Sequence, residues 1–119
     1  MIIHKTNTEL EAILGQINSA VEAKVVLPVK VCYKIVKNRL AIEQALVAFR
    51  EVRNDIIKKY ADETGRITEQ DKNFDKVTFE VLKVAGEYTD VEICEIDISE
   101  LGEKELPLNV VSALGFMMK

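Results

Sequence analysis

One run, Pro28 to Ala61 (PVKVCYKIVKNRLAIEQALVAFREVRNDIIKKYA), contains no glycine and no proline beyond its first residue, and it constrains the fold more than any other stretch. Counting in sevens from Ile35 gives Ile42, Phe49 and Ile56. Ala45, Leu46, Val52 and Tyr60 fill positions three and four residues along, so a broad apolar face recurs at helical period. The run therefore predicts one long helix. Pro28 suits its first position, where the missing N–H has no partner and φ is already helical, which leaves Leu27 as the cap. At 1.5 Å per residue such a helix is ~51 Å long, whereas a compact chain of 119 residues has a radius of gyration near ~13.5 Å and a diameter of roughly 35 Å. The helix overhangs its own domain. It can kink or break near Asn38 and be clothed by the other elements, project bare, or be covered by a second copy. Bare projection leaves Phe49, Val52, Ile56 and Ile57 wet at about 1.5–3 kcal/mol per large side chain. The overhang thus predicts self-association through those residues.

The length fits a single domain, residues 1–119, able to bury one core without metal or disulfide support. A 48% hydrophobic and 30% charged composition is that of an ordinary globular domain. No apolar run reaches the ~18 residues of a membrane span. The opening MIIHKTNTELEAI lacks the basic-then-apolar pattern of a signal peptide, so a cytoplasmic location in the producing cell and no membrane partner are expected. A net charge of −4 argues against nucleic acid as a partner. Cys32 and Cys94 stand far apart with no histidine beside either, which reads as two buried free thiols.

The average charge hides an asymmetry. Between Lys24 and Ile42 stand Lys24, Lys30, Lys34, Lys37 and Arg39 with no acid, a balance of +5. Between Glu87 and Leu106 eight acids face Lys104, a balance of −7. Either the two segments meet within one fold, or one of them faces a partner whose potential is complementary.

Around the long helix the other elements follow in order. Met1 to Lys5 is β-prone and reads as an opening strand. Thr8 and Glu11 have the spacing of a capping box, so a helix is predicted from Glu9 to about Asn18, with Leu10, Ile13, Leu14 and Ile17 on its inner face. Lys24, Val25 and Val26 could form a brief extended segment. After Ala61 the polar DETGRITEQDKN turns the chain back, with Thr68 and Asp71 as candidate caps. Phe74 to Ala85 fits both periods; the preceding polar loop and the following Gly86 favour a helix returning along the long one. Asp90 to Ile98 predicts a strand, paired with the opening one. Its apolar phase changes between Ile93 and Cys94, as at a bulge. Pro107 predicts the start of a final helix that lays Leu108, Val111, Leu114 and Met117 on the sheet.

Chemistry-bearing patterns are sparse. His4 is the single histidine and reads as a structural or surface residue rather than a catalytic one; one histidine and two distant cysteines do not make a zinc site. The five glycines are isolated, so neither a Walker loop nor a Rossmann fingerprint is present. No catalytic residue, metal or cofactor is expected. What remains is a basic ridge: Lys30, Lys34 and Lys37 share one helical face with Tyr33 and Asn38 adjacent, a surface for an acidic partner or a phosphate-bearing ligand, or simply a solvated side.

The succession LPVKVCYKIVKN, continued through LAIEQALVAFREVRNDIIKKYA, resembles an uncharacterised family of small phage and prophage proteins from Gram-positive hosts. The likeness lies in the Leu-Pro start, Tyr33-Lys34, Lys37-Asn38, Arg53, Lys59-Tyr60, a helix beginning at Phe74, the Val91-Glu92 strand and the terminal Leu114, Phe116 and Met117. It spans Leu27 to the end; the loop DETGRITEQDKN and the cysteines depart from it. The resemblance implies a phage setting and a helix at Phe74 to Ala85, and carries no activity, cofactor or catalytic residue with it.

These readings combine into an α+β fold: a long central helix, shorter flanking helices, and a small antiparallel sheet joining the first residues to Asp90 to Ile98. The expected function is that of a non-enzymatic phage accessory or assembly protein, a homo-oligomer that also meets a phage structural or host protein. The alternative is an inhibitor of a host defence system or host enzyme that binds a protein or an anionic small molecule on the ridge.

Overall fold

A computed structural model describes residues 1–61, 73–102 and 105–118. In chain order the elements are β1 (Ile2–Thr6), α1 (Asn7–Glu22), α2 (Val29–Tyr60), α3 (Phe74–Ala85), β2 (Tyr88–Glu92) and α4 (Leu108–Leu114), with 3₁₀ turns at Ile98–Leu101 and Gly115–Met117. The fold is α+β: among the described residues there are four helices and a two-stranded antiparallel sheet in which Ile2 faces Glu92 and Thr6 faces Tyr88. The polar segment 62–72, with Thr68 and Asp71, lies outside the described residues, as do Glu103 and Lys104.

α2 is one unbroken helix of 32 residues, about 48 Å long at 1.5 Å per residue. It sets the molecular outline: the radius of gyration is 17.6 Å and the principal extents are 55 × 26 × 17 Å, well beyond the ~13.5 Å expected of a compact chain this long. The prolines sit one residue earlier in their helices than expected. Pro28 is extended (ψ 144°) and its carbonyl accepts from the Cys32 N–H at 3.0 Å, so Pro28 rather than Leu27 is the cap; Pro107 does the same for α4. A cap needs no donor of its own, and a proline φ serves either place.

α1 begins two residues before its expected start. Thr6 is the cap: its hydroxyl accepts from the Glu9 N–H at 3.2 Å and the Glu9 carboxylate accepts from the Thr6 N–H at 3.1 Å. Thr8 instead donates its hydroxyl to the Ala85 carbonyl. Both pairs have capping-box spacing, and the strand decides between them, because β1 must end at Thr6. Four residues past the expected end the helix stops, with Lys24 at φ 54°, the left-handed conformation that closes many helices. Lys24, Val25 and Val26 form no strand.

Leu10, Leu14 and Ile17 of α1 form one core with Val31, Ile35, Ile42, Leu46 and Phe49 of α2 and with Val91, Ile93, Ile96, Val110, Leu114 and Met117. α3 is the predicted helix and packs on α2. α4 packs on α1, not on the sheet, and buries Val110, Ala113 and Leu114 while Leu108 and Val111 are exposed. Leu114 and Met117 are thus the only correct members of the expected face; the chain shifts from α-helix to 3₁₀ geometry at Gly115, which changes the spacing.

β2 starts two residues before Asp90 and ends at Glu92, so the apolar phase change beyond it is no bulge. The chain leaves the ladder there and is held by a side chain. Asn38, 1% exposed in the middle of the buried face of α2, donates from Nδ2 to the Cys94 carbonyl at 2.9 Å and accepts the Cys94 N–H at Oδ1 at 2.7 Å. Its Nδ2 also lies 3.5 Å from the Met117 sulfur. Ile96 then donates its N–H to the Met117 carbonyl at 2.9 Å. Asn7 does similar work at the other end of the sheet, donating to the Val84 carbonyl at 2.9 Å and accepting from the Thr89 hydroxyl at 3.1 Å.

Replacing Asn38 with leucine leaves both backbone groups of Cys94 without their partner, at about 1–3 kcal/mol for each group that stays buried and unpaired. Asn38→Leu is expected to lower unfolding free energy by roughly 2–4 kcal/mol in urea titrations. Asn38→Asp is also expected to be unstable at neutral pH, since it sets a carboxylate against the Cys94 carbonyl.

Candidate functional site

The basic ridge is only partly a ridge. Lys34 is bent across to the acidic segment: its ammonium donates to the Glu95 carbonyl at 3.0 Å and to Glu100 Oε1 at 2.9 Å. Glu100 is in turn the reciprocal partner of Asp97 in the box that opens the Ile98–Leu101 turn, accepting the Asp97 N–H at 2.7 Å. The basic and acidic stretches therefore meet inside one chain. Asn38 is removed from the predicted partner-binding group altogether, because a buried amide committed to Cys94 cannot also meet a ligand. Lys30, Tyr33 and Lys37 are exposed, and Lys30 and Tyr33 line an open hollow with Val29, Lys34, Cys94 and Glu100.

Of the residues expected to mediate self-association, Phe49 is corrected most clearly. It is 4% exposed, belongs to the core, and carries the Arg53 guanidinium 4.8 Å above its ring. Arg53 and Arg50 both reach the Glu11 carboxylate of α1, at 2.7 and 3.6 Å. Val52 is exposed, and Ile56 and Ile57 are half-buried in the region where Tyr60 donates to Glu80 of α3 at 3.1 Å. The distal half of α2 is thus partly clothed by α1 and α3.

A longer run of exposed apolar residues lies nearer the start of the same helix. Val29 (84% exposed), Tyr33 (67%), Val36 (42%), Leu40 (54%) and Val47 (50%) succeed one another at four, three, four and seven residues. With 3.6 residues per turn this is one narrow stripe, about half a turn away from Val31, Asn38, Ile42 and Phe49. α2 therefore has two apolar faces, one packed and one bare. The signal was present in the sequence as a second seven-residue series, Val29, Val36 and Glu43 with Tyr33, Leu40 and Val47, but the stronger inner series masked it.

Beside the stripe, an apolar cleft of about 220 Å³ opens between α1, α2 and α4, lined by Ile17, Val21, Leu27, Val36, Val110 and Leu114 with Arg39 and Cys32 among the walls. Cys32 is exposed rather than buried, and Cys94 is half-buried; both are free thiols. His4 is an exposed cross-strand residue that bonds to Asp90 and stacks on Tyr88 with ring centres 4.5 Å apart. No helix among the described residues is long and apolar enough to cross a membrane.

Among the described residues two carboxylates lie below the ordinary range, and each is the reciprocal partner of the cap residue in a capping box. Glu9 is lowered first by the Thr6 N–H; Glu100 is lowered first by the Asp97 N–H and then by its bond from Lys34. A carboxylate with a depressed folded pKa stabilises the native state above its unfolded value and loses that contribution as pH falls through the folded one. Glu100→Gln is expected to flatten stability against pH below about 4.5, the unperturbed carboxylate value, in thermal melts compared with the parent chain. The contrast on α2 is equally testable by denaturant titration: Phe49→Ala should cost about 3–5 kcal/mol as a core truncation, whereas Val47→Ala on the outer stripe should stay within roughly 0.5 kcal/mol. No protein-family model, curated protein or solved structure matches the chain.

Proposed function

We propose that this chain is a non-enzymatic binding protein that works by protein–protein association along α2, first of all with itself, as an accessory or assembly component of a phage or prophage. The phage setting comes from the resemblance that spans Leu27 to the end of the chain. The association reading is carried by one observation, the bare stripe Val29, Tyr33, Val36, Leu40, Val47 on a helix whose opposite side already supplies the core. Contiguous apolar surface of that kind is usual at interfaces and costly in water. The bare part of α2 is its proximal and middle stretch rather than the neighbourhood of Phe49, which the chain covers by itself.

The rival, an inhibitor presenting the ridge to an acidic target, rests on Lys30 and Lys37 with Tyr33. It is weakened by the engagement of Lys34 with Glu100. The alternative of an anionic small molecule in the hollow meets a carboxylate wall from the same Glu100.

Light scattering on the purified chain is expected to give twice the 13.4 kDa chain mass at micromolar concentration. Val36→Glu combined with Leu40→Glu should return it to a monomer with an unchanged far-UV spectrum. A monomeric parent chain would remove the reading's support.

A further inference from the structure

We propose that the cleft between α1, α2 and α4 binds an alkyl carboxylate, with the hydrocarbon chain in the cleft and the carboxylate on Arg39. Such a site goes beyond self-association and does not depend on it, although Val36 borders both surfaces.

The walls call for an apolar tail. Of the eleven lining residues nine are aliphatic. Ile17, Val110 and Leu114 are nearly fully buried and form the floor, while the exposed Val21, Cys32 and Val36 stand at the mouth. Water held against such walls finds few hydrogen-bond partners, so an apolar guest displaces it at little cost. At about 220 Å³ the space equals that of about seven waters at ~30 Å³ each. It falls below the ~300–1,000 Å³ of pockets that take drug-sized ligands. A slender chain suits that volume, and a nucleotide suits neither its size nor its walls.

The one charge in the lining selects the head. Arg39 is half-buried, and among the described residues it forms no ion pair. Arg50 and Arg53 of the same helix differ in this, since both reach Glu11. Glu43, one turn further along α2, and Glu22, next to Val21 in α1, make no ion pair with Arg39 either. α4 carries no charged residue at all. Lys24 and Lys37, each adjacent in sequence to a lining residue, add to the positive potential. A guanidinium offers parallel N–H donors that the two oxygens of a carboxylate match, whereas a cationic head is repelled and a neutral one leaves the charge unanswered.

Calorimetric titration of the full chain with sodium hexanoate, octanoate and decanoate tests the site. Each methylene that enters the cleft is expected to tighten binding about fourfold, the equivalent of about 0.8 kcal/mol, until the chain outruns the cleft. 1-Octanol, with the same tail and no charge, should bind about tenfold more weakly than octanoate, and Arg39→Gln should weaken octanoate by a similar factor while sparing the alcohol. Octanoate should also slow maleimide modification of Cys32 in a Cys94→Ser chain, because that thiol stands at the mouth. Octanol binding as tightly as octanoate, or octanoate binding that Arg39→Gln leaves unchanged, would overturn the anionic head. Binding that leaves Cys32 as reactive as before, or no binding by any of the three carboxylates, would overturn the site. A Cys32 thiol shielded in the concentrated ligand-free chain and freed on dilution would assign the cleft to a second copy instead.

Discussion

The side-chain amide of Asn38 is the interaction on which the rest of the structure depends. It lies in the apolar seam of α2, where any other polar group would be left without partners, and it takes the two bonds that a neighbouring strand would have made to Cys94. A seam of valine, isoleucine and leucine tolerates sliding, since one aliphatic layer resembles the next. A buried amide with one correct mate does not. Asn38 thereby sets the height at which the segment after β2 crosses the helix, and with it the places of Ile96 and Met117, which pair their backbones next door.

Much of the architecture was legible because it follows from period and punctuation. α2 announces itself by spacing and by Pro28 at its start, whereas Phe74 to Ala85 fits both periods and only the polar stretch before it and Gly86 after it favour the helix that α3 forms. β1 and its partner are short β-prone runs, and pairing them was the natural choice. What could not be read was tertiary in origin. Thr6 and Thr8 both offer a capping hydroxyl, and only the strand register selects Thr6. Asn38 looked like a surface neighbour of lysines because a polar residue on a long helix is ordinarily wet; its burial depends on where Cys94 comes to lie. Phe49 looked like an interface residue because nothing in its own helix shows that α1 will pack there and, through Glu11, hold Arg53 over its ring. The bare stripe was hidden for a related reason. Two seven-residue series on one helix blur into a general apolar character, and the packed one had the larger side chains.

The electrostatics are as instructive as the packing. Opposite charge segregated along the chain is a folding instruction in part, since Lys34 and Glu100 close one corner of the molecule. What stays exposed of the basic stretch on α2 is Lys30 and Lys37, with Tyr33 between them.

The sheet has a kinetic meaning of its own. β1 and β2 are separated by residues 7–87, and Ile3 pairs with Val91 across that span. Closing so wide a loop costs entropy that two five-residue strands repay poorly on their own. The pairs α1–α2 and α2–α3, adjacent in sequence, are the natural early scaffold, and the ladder that ties residue 3 to residue 91 is the clasp that shuts once they have assembled.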